Sequence, residues 1–237
     1  MKKLAVICIS TAVVFSLSLG IFFSHPIHSS AETLNTTINK LMDEVESGAK
    51  NNPETKFSSN PYVFIVGNQY YTEIVNMGLP ALPLLEDYIN KSANNGLKEY
   101  ILAAAAEEIA KVNLKTDGSQ KYKWTDAKGF VKEWNTHLKN VQQKVDKIVS
   151  SNGSKKEKND NLVKLGIPAI PFIMDYIEKD TQNNSQLLEA LQTLLSDNKT
   201  AKFESSDVNN PQDWVKQNKD KFKELRNYID NKKDVKN

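Results

Sequence analysis

Apolar residues recur along most of this chain at steps of three and four, the spacing that puts side chains on one face of an α-helix. Leu34, Ile38, Leu41 and Val45 form the first such stripe, within residues 32–50, and a polar stretch, 51–60, follows it. Leu82, Leu85 and Ile89 form another, and Ile170, Ile173 and Ile177 a third. The longest stripe carries Phe130, Trp134, Leu138, Val141, Val145 and Ile148, and it opens at Thr125 or Asp126, either of which can cap a helix. Asn210 and Pro211 open a matching last helix through Trp214, Phe222, Leu225 and Ile229. The pattern predicts an all-α protein of about eight to ten helices.

Two of these stripes lie inside a repeated string. The thirteen residues from Met77 to Ile89 and the thirteen from Leu165 to Ile177 stand 88 positions apart. Seven of the pairs are identical and five exchange one apolar residue for another, so only Glu86 against Met174 crosses from polar to apolar. Gly78 and Gly166 can adopt the left-handed conformation that closes a preceding helix. Pro80 and Pro168 then suit the first turn of the next, where a missing N–H costs nothing. A second helix follows in each copy, over residues 97–111 and 186–197. In the first copy Ala103 to Ala106 would let a neighbouring backbone approach closely.

This string, with its paired prolines and its Ala- or Leu-rich second helix, resembles the HEAT-repeat pattern over residues 72–111 and 161–197. The resemblance implies an α-solenoid-like stack of helix pairs. It departs from tandem HEAT units, which follow one another at about 40 residues, because a long helical segment separates the copies here. Each unit is therefore expected to end by docking such a helix, giving a period of four. The organisation read this way is an export segment (1–31), an N-terminal helix and polar loop (32–60), a first HEAT-like unit with its docking helix (61–151) and a second with the C-terminal helix (152–237).

The export segment rests on Lys2 and Lys3 ahead of an uncharged apolar run over residues 4–23, followed by Ser29 and Ala31 as small residues for a peptidase. Cleavage is expected after Ala31, which makes the protein secreted or cell-wall associated. An uncleaved run would instead anchor it at the membrane with an extracellular domain. Cleavage removes Cys8, His25 and His28, and it lowers the basic count from 31 to 29, equal to the 29 acidic residues. No disulfide is then available and packing alone must hold the chain. Zero net charge offers no basic face for nucleic acid. The tail after Trp214, with eight Lys or Arg against four Asp or Glu, reads as a solvated helix face.

Few residues promise chemistry. His137, the histidine that survives cleavage, sits at the margin of its helical stripe and reads as a half-buried residue with a wet ring nitrogen, without the nucleophile that triad chemistry needs. Asp43 with Glu46, and the adjacent Glu107 and Glu108, read as solvated faces, since neighbouring helical residues diverge. No cofactor motif or metal spacing is present. Trp134 and Trp214 belong to apolar stripes, whereas Trp124 precedes a helix and is the freer tryptophan. Tyr62, after the turn residues Asn60 and Pro61, and the pair Tyr70 and Tyr71 form the other aromatic cluster. Tyr62, Tyr70, Tyr71 and Trp124 are thus the candidate partner-binding residues. The sequence reads as an exported, non-catalytic binding or scaffold module for a protein or peptide, or for a cell-wall polymer. A membrane-anchored sensory ectodomain and a hydrolase with a carboxylate site are the alternatives.

Overall fold

A computed structural model describes residues 27–51, 58, 60–116, 122–179, 185–196 and 201–234. Its helices are α1 (Ile27–Asn51), α2 (Gln69–Asn76), α3 (Ala81–Lys91), α4 (Leu97–Ala110), α5 (Ala127–Ser150), α6 (Lys155–Lys164), α7 (Ile170–Lys179), α8 (Ser185–Leu195), α9 (Pro211–Asn218) and α10 (Lys223–Asp234). Short 3-10 turns precede α2, α7, α9 and α10. The protein is all-α, and among the described residues the pairing outside helices is one isolated bridge, Thr116 with Tyr122. The apolar stripe of α1 is buried from Leu34 onward, against α2 and α3. That helix runs unbroken through Ala31 and Glu32, where cleavage is expected. The apolar run of residues 4–23 and most of the loop expected at 51–60 lie outside the described residues.

The helices around the two repeated strings make corresponding contacts. In the first copy α2 and α3 both lie against α4, and α5 covers α3; in the second α6 and α7 both lie against α8, and α9 covers α7. Gly78 and Gly166 have φ of +66° and +71°, the left-handed conformation expected of them. The docking helices correspond in length: α5 has 24 residues, and α9, its 3-10 turn and α10 supply 8, 4 and 12. Phe130, Val131, Leu138, Val141 and Val145 correspond in sequence position to Trp214, Val215, Phe222, Leu225 and Ile229, and all ten are buried. Each docking helix also caps the helix it covers. Lys128 Nζ donates to the carbonyls of Ile89, Asn90 and Ser92, and Gln212 Nε2 donates to that of Ile177, the repeat counterpart of Ile89. Asp126 rather than Thr125 caps α5, accepting from Gly129 N at 2.8 Å.

The copies differ where they meet. A Cβ at Gly166 would collide with the Ala110 carbonyl and Val112 Cγ1, whereas at Gly78 it would meet nothing. Glycine in the first copy therefore serves backbone conformation alone, and in the second it also lets the turn seat against the end of α4. Glu86, the one position that breaks the repeat, is buried at 5% exposure. It accepts from Asn135 Nδ2 at 2.9 Å and from Lys232 Nζ at 2.6 Å, and Tyr228 OH bonds its other oxygen. Trp134 Nε1 donates to that same Tyr228 oxygen at 2.8 Å. Helix α10 thus packs on both α7 and α5 and ties the chain's end to the first unit. The basic tail is in the main the solvated face its composition suggests, with Lys216, Lys219, Lys221 and Lys223 exposed, but part of it turns inward. Besides Lys232, Arg226 pairs with Asp175 at 2.7 Å, and Lys233 lies over the Phe172 ring. Amphipathic lysines pack their stems inward wherever a carboxylate or ring waits there, which composition cannot register.

Two outcomes follow for stability. Gly78→Ala should cost about 1–2 kcal/mol for the left-handed backbone, and Gly166→Ala about 1–3 kcal/mol more for the overpacked seam, read from urea denaturation midpoints. Glu86→Ala should cost about 3 kcal/mol by stranding Lys232 and Tyr228. Glu86→Met combined with Lys232→Met, which imitates the second copy, should recover roughly half of that in a double-mutant cycle.

Candidate functional site

Capping residues set the aromatic side chains. Asn60 Oδ1 accepts from Tyr62 N at 3.1 Å and starts the 3-10 turn Pro61–Phe64, which lies against α4. Asn68 Oδ1 accepts from Tyr70 N and Tyr71 N at 2.9 and 3.0 Å and starts α2. Successive helical residues point about 100° apart, so the two tyrosines part company. Tyr71 is buried and donates to Glu108 Oε2 at 2.7 Å, while Tyr70 stays half-buried near Lys40, whose ammonium is 5.9 Å from its ring.

Beyond α4 the chain turns at Lys111, which has a φ of 52°. Glu107 Oε1 then gathers the returning segment, accepting from Leu114 N at 2.7 Å and Trp124 Nε1 at 3.3 Å. Lys123 N donates to the Lys115 carbonyl at 2.8 Å, and with the Thr116–Tyr122 bridge this closes a hairpin. The rings now form a chain: Tyr62 edge-on to Tyr100 at 6.2 Å, Tyr100 to Trp124 at 5.1 Å, Trp124 to Phe130 at 5.5 Å. Lys115 Nζ sits among four of them, 5.2 Å from the centroid of Tyr62, 4.9 Å from Tyr100, 5.5 Å from Tyr122 and 5.2 Å from Trp124, and it donates to Tyr100 OH. A cation against several π faces is held by their quadrupoles. A cleft of about 350 Å³ opens beside this cage, lined by Tyr62, Tyr71, Glu107, Glu108 and Lys115 among others.

Three of the four sequence candidates, Tyr62, Tyr71 and Trp124, therefore converge on one place, and Tyr70 does not. Trp124 is not the free tryptophan its position suggested: it is 2% exposed, because Tyr100 and Phe130 cover it and Glu107 takes its N–H. The exposed rings are Tyr122, at 64%, and Tyr62, at 38%. Glu107 is likewise no solvated residue; burial raises its carboxyl pKa, partly offset by the bond from Leu114 N. Sequence reasoning missed Tyr100, Lys115 and Tyr122. Tyr122 and Trp124 stand two apart, which in extended chain gives them one face, and that spacing was the available signal.

No family model, curated protein or solved structure matches the chain. Its chemistry must be read from its own geometry.

On the other side of the segment after α4 lies a larger cleft of about 820 Å³, bounded by α5 and the end of α6. Lys111, Lys123, Lys144 and Lys164 line it with Glu133, Thr136 and His137. Burial lowers the Lys144 pKa, and the charge of Lys123 lowers it further. His137 is not a half-wet margin residue: it is 4% exposed, and its Nε2 lies 3.0 Å from the Leu165 carbonyl. Burial, then Lys144, lowers its pKa to about 4. Among the described residues no group of three or more His, Cys, Asp or Glu could hold a metal ion.

His137 makes stability depend on acidity in a calculable sense. Its folded pKa lies below the ordinary value of about 6.5, so the folded protein refuses a proton that the unfolded chain accepts. Stability should be intact above about pH 6.5 and fall progressively until about pH 4, by about 3 kcal/mol from this residue. His137→Gln, whose amide can still donate to Leu165, should lack that component when urea midpoints are compared across the range.

Proposed function

We propose that this chain is an exported, non-catalytic binding module that presents the aromatic face around Tyr62, Tyr100 and Tyr122 to a protein or peptide partner. One observation carries the reading. The exposed large apolar residues among those described are Tyr62, Val63, Val66, Tyr122 and Val208, and four of the five sit on the turn after Asn60 or on the hairpin rim of the cage. A concentrated apolar patch with tyrosines at its rim is the composition of recognition surfaces. His137 supports a non-catalytic role, being buried, neutral and engaged with a backbone carbonyl. The HEAT-like resemblance fits a surface built for contact. Export is supported by the N-terminal sequence pattern. Among the described residues no helix is long and apolar enough to cross a membrane.

The lysine-lined cleft favours a second reading, an anionic cell-wall polymer as the partner.

Affinity capture from the outer cell surface separates the two. The bait is the secreted chain, whose mass should correspond to a start at Glu32. Tyr62→Ala with Tyr122→Ala should weaken the specific partner more than tenfold, with little response to salt. Capture that ignores both tyrosines, falls steeply with added salt and is lost with Lys123→Glu would replace the first reading by the second.

A further inference from the structure

The cage is occupied by the protein's own lysine, and that occupant shows what chemistry the four rings accept. The Lys115 side chain is not needed to close its hairpin. The Lys123 N to Lys115 O bond and the Thr116–Tyr122 bridge are made by the main chain, so the side chain can swing out with the backbone in place. Two walls of the cage, Tyr62 and Tyr122, are 38% and 64% exposed, so the cage is open to solvent on that side. The adjoining cleft carries Glu107 and Glu108, carboxylates that would draw a cation toward the rings rather than an anion. A compact ammonium with no planar fork, surrounded by π faces, is the arrangement by which proteins recognise lysine and quaternary ammonium groups.

From this geometry we infer that the ring cage of Tyr62, Tyr100, Tyr122 and Trp124 is a binding site for an alkylammonium group of the partner, and that Lys115 is a built-in competitor that vacates it on binding. The inference deepens the proposed function and rests on that surface being the contact face. Lys115 lowers the apparent affinity by the fraction of time it fills the cage. Emptying the cage should therefore tighten binding of a free ammonium.

The test uses the mature chain, titrated by NMR or calorimetry with choline and with Nα-acetyl-lysine amide, and with 3,3-dimethylbutanol as the uncharged analogue of choline. Lys115→Ala should bind a cationic probe roughly tenfold more tightly than the wild type, should ignore the uncharged analogue, and should lose the gain when Tyr122→Ala is added. Preference for choline identifies a quaternary ammonium as the ligand, and preference for the lysine derivative identifies a protein side chain. A Lys115→Ala chain with unchanged circular dichroism that binds both probes no better than wild type overturns the inference; Lys115→Ser serves if the alanine variant does not fold. If the probes fail while Tyr62→Ala with Tyr122→Ala still loses the partner, only the cage inference falls. If the probes bind while partner capture ignores both tyrosines, the assignment of the contact face falls and the cage stands.

Discussion

The seating of the Gly166 turn against the end of α4 governs how the two halves of this protein are arranged. At that point backbone lies almost directly on backbone, with no room for even a methyl group. The contact pins Ala110 to Val112, the residues at which the chain leaves α4 in a left-handed turn. From there the direction of the next segment is set, and Glu107 collects it by accepting from Leu114 and Trp124. The aromatic cage on one side of the segment and the lysine-lined cleft on the other both depend on that seam. A protein without disulfides must place such features by close packing, since interiors near crystalline density transmit position over several residues.

The helical scaffold was legible because it follows from local rules. Period, glycine conformation and capping chemistry act within a few residues, so the two copies, a cap at Thr125 or Asp126 and the burial of Trp134 and Trp214 could all be read from the string. What escaped was set by residues distant in sequence. Trp124 precedes a helix and carries no helical stripe of its own; its burial comes from Tyr100 and Phe130. His137 lies on a helix margin that α5 alone would leave wet, and the Leu165 carbonyl closes it. Lys232 and Arg226 of α10 look like part of a solvent face until Glu86 and Asp175 of other helices are placed beside them. In each case the deciding partner belongs to another element.

The exchange of Glu86 for Met174 shows how two similar units come to play different parts. Within the repeated string every other change keeps its apolar or polar character, so the common helical unit is preserved. The exceptional position is the one on which the last helix docks. Its carboxylate takes bonds from α5 and α10, while Met174 at the corresponding place is buried as an ordinary apolar side chain. The docking helices diverge in step: α5 is continuous, and its counterpart breaks at a 3-10 turn, where the buried Asn218 donates to the Trp214 carbonyl. The second half of that broken helix is the piece that reaches across to Glu86.

Arrays of repeated units ordinarily come apart piecemeal, because each unit contacts only its neighbours and the ends fray first. The bond from Lys232 to Glu86 joins residues 146 positions apart and changes that expectation. The last dozen residues of the described chain help complete a buried polar cluster in the first unit, so early melting of α10 would leave the Glu86 charge in α3 uncovered. Fraying there is thereby coupled to the interior of the other copy. A protease clipping within α10 would uncover Glu86 in α3 together with Asp175 in α7.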